Sequence, residues 1–127
     1  FDFSNLSIEQ INIENSLNDC IDFSSGTYII ENSILKKCGD KGISVGEDTI
    51  ANFRKINVTA SNIGLASKDS SKVFIENSKM WDVMTCYASY KKKQEFNGGQ
   101  IKIKNSNCKN FNTEIYVDNF SSIEVMN

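Results

Sequence analysis

Asp40 and Glu47 close the two ends of Gly39-Asp40-Lys41-Gly42-Ile43-Ser44-Val45-Gly46-Glu47 and look like the paired carboxylates of a general acid and base. Seven residues of extended chain hold them roughly 23 Å apart at about 3.3 Å each, too far to share one site. Chemistry here has to be assembled from separate stretches. The candidates are Asp22, Glu47 and Asp69 as carboxylates and Lys68 as a base, with Ser44, Tyr90, Lys91, Lys92 and Tyr116 as groups that hold a ligand. Converging carboxylates offer hard oxygen ligands to Ca2+, and a lysine beside them can remove the proton next to a uronate carboxylate. Glycoside hydrolysis needs two carboxylates about 5 to 9.5 Å apart, for which Asp22 with Glu47, or Glu47 with Asp69, qualify if their strands stack. Binding without catalysis asks for less. Trp81, Tyr90, Phe96 and Tyr116 are the rings least committed to a core, and the Lys91-Lys92-Lys93 run beside Tyr90 suits an anionic glycan. No His is present to complete a zinc site or to activate a Ser or Cys nucleophile, and no G-x-S-x-G occurs.

What must position these residues is a repeat. Cys20-Ile21-Asp22-Phe23-Ser24, Gly42-Ile43-Ser44-Val45-Gly46, Gly64-Leu65-Ala66-Ser67-Lys68 and Cys86-Tyr87-Ala88-Ser89-Tyr90 start at one constant interval, and Glu114-Ile115-Tyr116-Val117-Asp118 follows after a longer one. Aligning on this anchor strand exposes two more apolar columns with strand-like alternation. One pairs Leu6 and Ile8, Tyr28 and Ile30, Ala51 and Phe53, Val73 and Ile75, Ile101 and Ile103, then Ile123 and Val125. The other holds Ile13, Leu35, Val58, Met80 and Cys108. A rung of about 22 residues cannot bury its own apolar face, so rungs stack and share a core. The expectation is an all-β parallel solenoid with rungs near 10–25, 26–48, 49–70, 71–99 and 100–122. At about 4.8 Å per rung it spans on the order of 25 Å. Stacking then brings Asp22, Ser44, Ala66, Ala88 and Tyr116 onto one outer face. Glu47, Asp69 and Lys91 gather at the turn beyond it, where Lys68 is expected to pair with an acid. The segment 91–100 lengthens one interval and is expected to protrude as a loop, a common place for function on a rigid scaffold.

A polar column keeps the same register. Gln10, Asn32, Lys55, Asn77, Asn105 and Asn127 follow the first strand of each rung, where asparagine tolerates left-handed backbone and can bond along a ladder. In this the chain resembles the right-handed parallel β-helix proteins of the pectate-lyase-like superfamily, whose bends carry asparagine ladders. The resemblance implies a right-handed coil of five to six rungs, and a β-helix-repeat domain of a larger bacterial protein at the cell surface or in the periplasm. It does not choose among the superfamily's lyases, hydrolases, epimerases, adhesins and spacers.

The 127 residues suit one domain, and a start at Phe1 without Met suggests a piece of a longer chain. Fourteen Lys and Arg against sixteen Asp and Glu leave a charge of -2, so no basic field points to nucleic acid, and no apolar run reaches the length of a membrane span. Cys20, Cys38, Cys86 and Cys108 form no C-x-x-C and are read as buried free thiols acting as small hydrophobes, which leans toward a reducing compartment. Gly39, Gly42, Gly46 and Gly64 mark sharp entries and exits of strands, and Asp40 is expected to bond its own turn. The function expected first is a non-catalytic, rigid platform for a polysaccharide or for another domain of the parent protein, without a cofactor. A polysaccharide lyase or epimerase acting on an acidic glycan, using Asp22, Glu47, Lys68 and Asp69 and admitting Ca2+, is the alternative. An oligomerisation module that associates end to end is the third.

Overall fold

A computed structural model describes residues 1–126; Asn127, expected to end the polar column, lies outside the described residues. Nine strands and no helix are present among them: β1 (Asp2–Ile8), β2 (Asn12–Ser16), β3 (Ile21–Cys38), β4 (Lys41–Lys68), β5 (Lys72–Glu76), β6 (Lys79–Tyr90), β7 (Gln100–Lys104), β8 (Asn107–Val117) and β9 (Ser122–Met126). The long strands turn corners without leaving the ladder. Every pairing is parallel, as stacked rungs require, and the chain coils into a β-solenoid of about six turns.

The register follows the apolar columns. Leu6 pairs with Tyr28, Tyr28 with Ala51, Ala51 with Val73, Val73 with Ile101 and Ile101 with Ile123 on the first face. On the second face Ile13, Leu35, Val58, Met80 and Cys108 stack in order. On the anchor face Ile21 pairs with Ile43, Leu65 with Tyr87 and Tyr87 with Ile115. Tyr28, Ile30, Leu35, Ile43, Val58, Leu65, Ile75 and Met80 are wholly buried. Each buried aliphatic of this size contributes about 1.5–3 kcal/mol of transfer free energy.

Corners alternate with these faces. Asn32, Lys55, Asn77 and Asn105 turn with φ of 52°, 56°, 51° and 48°, and the Asn105 amide donates to Asn77 Oδ1. A serine beside the asparagine completes the corner. Ser78 Oγ donates to its own rung at Glu76 O and accepts the Ile56 N–H of the rung before, and Ser33 does the same with Glu31 O and the Ile11 N–H. A second left-handed corner, not foreseen from sequence, runs through Asn15, Lys37, Ala60, Asp82 and Asn110, with φ between 53° and 63°.

The cysteines depart from expectation. Cys20 bonds Cys38 and Cys86 bonds Cys108, leaving no free thiol among the described residues. Coiling explains it: separations of 18 and 22 residues fall somewhat short of the local rungs of 22 and 28, so each bridge joins neighbouring rungs across a corner, with Cα atoms 5.3 and 6.2 Å apart, within disulfide reach. Asp40 also departs, because its carboxylate takes the Lys41 ammonium at 2.8 Å and the Asn62 amide at 3.0 Å rather than closing its own turn. Gly39 is required where it stands, since a Cβ there would lie 1.9 Å from Leu17 O.

Candidate functional site

Outward side chains of a stacked strand are normally wet. On the anchor face three of them are not. The ladder pairs Asp22 with Ser44, Ala66 with Ala88 and Ala88 with Tyr116, and Ser44, Ala66 and Ala88 are only 1%, 0% and 2% exposed. Small residues in this column form a floor, and taller neighbours wall it on both sides. Along one wall Lys68 stacks on Tyr90; along the other Ile63 stacks on Thr85. The result is a trough parallel to the solenoid axis.

At its C-terminal end the Tyr90 and Tyr116 rings meet edge to face, with centroids 6.4 Å apart. They border an open depression of 320 Å³ floored by Ala88 and rimmed by Lys91 and Asp118. Burial raises the Tyr90 phenol above its ordinary range, so it is a neutral hydrogen-bonding group at physiological pH.

Toward the N-terminal end the trough becomes charged. The Lys68 stem lies over Gly46, its Cε 3.7 Å from where a Cβ would stand, and this makes the glycine a slot for the lysine. Burial pushes the Lys68 ammonium below the usual lysine range, and Lys41 and Lys92 push the same way against Asp22 and Asp19. Among the described residues Lys68 has no ion-pair partner, contrary to the expected pairing with an acid of the turn. Glu47 and Asp69 of that turn bond the 91–99 segment instead, and other nearby acids are engaged as well. Hydrogen bonds from Lys41 and then Asn62 hold Asp40 below the usual carboxylate range. Asp19 accepts the Lys41 N–H at 3.0 Å. Burial works most strongly against the Lys41 charge, but the bond to Asp40 together with nearby Tyr90, Asp19 and Asp40 raises it above the usual lysine range.

The 91–99 segment forms the outer wall and is pinned rather than loose. Asp69, 2% exposed, accepts the N–H groups of Lys92 and Lys93 on one oxygen, each at 2.8 Å. Asp118 accepts the Lys91 N–H at 2.9 Å, and the Lys91 ammonium lies 4.8 Å from the centre of the Phe120 ring. Lys93 bonds Glu47, and that bond, with a second from Ser24, holds Glu47 below the usual carboxylate range.

The structure therefore divides the sequence candidates. Ser44, Lys68, Tyr90, Lys91 and Tyr116 border the trough, with Asp22 at its N-terminal end and Lys92 near Lys68. Glu47 and Asp69 are tied to the loop, and no three carboxylates converge as a cation cage among the described residues. Trp81 points outward, as expected, but on the second face, with the Lys79 ammonium 4.3 Å from its ring centre. Lys41 and Asp118 were missed because each adjoins a residue that reads as ordinary turn chemistry; their place in the trough depends on stacking.

Comparison with protein-family models, curated proteins and solved structures finds no match to this chain. Fold and site together define a class, a parallel β-solenoid with a walled trough along one face.

Proposed function

We propose that this chain is a rigid, non-catalytic platform that binds a polysaccharide along the anchor-face trough. One observation carries it: two tyrosine rings stand beside a buried alanine floor and border an open depression of 320 Å³ on the outward side of the anchor strand. Ring faces supply apolar area for sugar rings, and fixed polar tips orient them. A linear polymer matches a linear groove, and a scaffold locked by ladder hydrogen bonds loses little entropy on binding. The repeat and its asparagine corners support placing the chain with the pectate-lyase-like β-helices of larger bacterial proteins. Two disulfides favour an oxidising setting, the periplasm or cell surface.

Retention on immobilised polysaccharides tests this. The wild-type chain binds at least one, and Tyr90→Ala and Tyr116→Ala each weaken it about tenfold, the loss of roughly 1.4 kcal/mol of ring contact. Binding that ignores both substitutions contradicts the platform. The depressed Lys68 charge favours a second reading, in which Lys68 is the base of a lyase or epimerase on an acidic glycan. It predicts an unsaturated or epimerised product from a uronate polymer, lost in Lys68→Met.

A further inference from the structure

The second face of the solenoid meets the anchor face across the corner of Lys37, Ala60 and Asp82 and carries a charge pattern of its own. In one outward column Lys36, Thr59, Trp81 and Lys109 follow one another, and in the column beside it Ile34, Asn57 and Lys79. Lys37 and Lys55 stand exposed at the two bounding corners. No ion pair among the described residues uses any of these five lysines. The acids on this side are Glu14, at the N-terminal end, and Asp82, which accepts the Asn110 amide. A chain of net charge -2 thus concentrates positive charge on one sheet face. Lysines alone would only solvate that face. Among them, however, stands the chain's one tryptophan, Trp81, 45% exposed with the Lys79 ammonium 4.3 Å from its ring centre, and Ile34 is exposed nearby. A large ring left in water amid charge of one sign marks a contact surface.

We propose that the second face seats the protein on an anionic lipid bilayer, with Trp81 and Ile34 at headgroup depth and the lysines against lipid phosphates. The inference stands apart from the platform reading. Lysines held near an anionic membrane surface each strengthen adsorption about fivefold, and four to eight of them make a recognisable lipid-binding cluster. Tryptophan is the ring suited to that depth, apolar in its body and hydrogen-bonding at its N–H. Charge alone also fits a nucleic acid strand. Such a strand stacks base after base on successive rings, whereas the neighbours of Trp81 in its column are Thr59 and Lys109. Two disulfides favour a setting outside the reducing interior, where lipid phosphates are the abundant anions of a flat surface. Adsorption of this kind needs no spanning segment, and among the described residues no helix is long and apolar enough to cross a membrane. Seated on its second face, the protein leaves the anchor-face trough open to solvent.

Co-sedimentation with vesicles tests the seat. Vesicles of equimolar phosphatidylcholine and phosphatidylglycerol retain the wild-type chain at least about tenfold better than vesicles of phosphatidylcholine alone, and molar salt releases it. Lys36→Gln and Lys109→Gln each weaken retention about fivefold. Lys102→Gln makes the same change in net charge on the first face and leaves retention at the wild-type level. All three lysines are exposed, and thermal unfolding confirms that each variant is folded. As the lone tryptophan, Trp81 reports the contact directly: its emission moves to the blue on the anionic vesicles and is quenched by brominated acyl chains. Equal retention on both vesicles overturns the proposal. So does a loss in Lys102→Gln as large as in Lys36→Gln, which would make net charge rather than this face the cause, and so does retention with Trp81 unquenched. A single-stranded oligonucleotide or a soluble sulfated glycan that shifts Trp81 where the anionic vesicles do not overturns the lipid assignment. Glycan retention is read at another face by other residues, so the platform and the bilayer seat fail independently.

Discussion

On the first face of the solenoid Glu31, Arg54, Glu76 and Lys104 stack in one outward column, acid and base by turns, and Arg54 bonds Glu31 directly. On the anchor face the outward column is Ser44, Ala66 and Ala88, and the cation above it, Lys68, is left without an acid. Both faces are built on the same rungs with the same spacing. Stacking brings an outward residue next to its counterpart one rung away, so a column can be made self-sufficient by alternating charge. The first face is. The anchor face has acids within reach, yet spends them on Lys41, on Asn62 and on the loop. Where a ladder could satisfy its own groups and does not, the unsatisfied groups are the ones available to a ligand.

Four tests break or sharpen this contrast, from the largest effect to the smallest. Replacing both Cys86 and Cys108 with alanine unlinks the two rungs that carry Tyr90 and Tyr116, and costs about 3 kcal/mol on loop-closure grounds. Thiol titration of the wild-type protein finds free thiol only after reduction. Asp69→Ala strips the Lys92 and Lys93 N–H groups of their acceptor and costs about 2 kcal/mol. Exchange at those two amides accelerates, and glycan affinity falls with the wall.

The third test is pH. Because Lys93 and Ser24 depress Glu47 in the folded protein, its contribution to stability is present above the unfolded value of about 4.3 and is lost as pH falls through the lower folded value. Its carboxyl resonance therefore titrates below that of an ordinary glutamate, and in Lys93→Met the midpoint moves back up. Smallest of all is Glu31→Gln, which breaks an exposed pair on the first face. Exposed ion pairs contribute little, so the unfolding temperature and the glycan affinity stay at wild-type levels.

Much of this was legible in the sequence because a solenoid repeats its constraints. Tyr28, Ala51, Val73 and Ile101 recur down one face, and the Asn-Ser corners repeat because few side chains accept left-handed backbone. The second corner hid itself: Asn15, Lys37, Ala60, Asp82 and Asn110 share a conformation without sharing a chemistry. The disulfides hid in plain arithmetic. The separation of 22 residues from Cys86 to Cys108 falls short of the 28-residue rung at that point, where Met80 and not Cys86 stacks on Cys108, and only the coil shows that residues of different faces meet across a corner. Ser44 was visible as an outward residue. That it is buried and unpartnered depends on the direction of the side chains around it rather than on spacing.

The contrast between the faces is tested most directly by an amide chemical-shift map of the labelled protein titrated with an oligouronate. The account predicts shifts confined to the anchor-face trough, greatest at Ser44, Ala66, Lys68, Ala88 and Tyr116, with Thr27, Asn52 and Arg54 of the first face unmoved. Shifts centred on the first face, or spread evenly over all three, would contradict it.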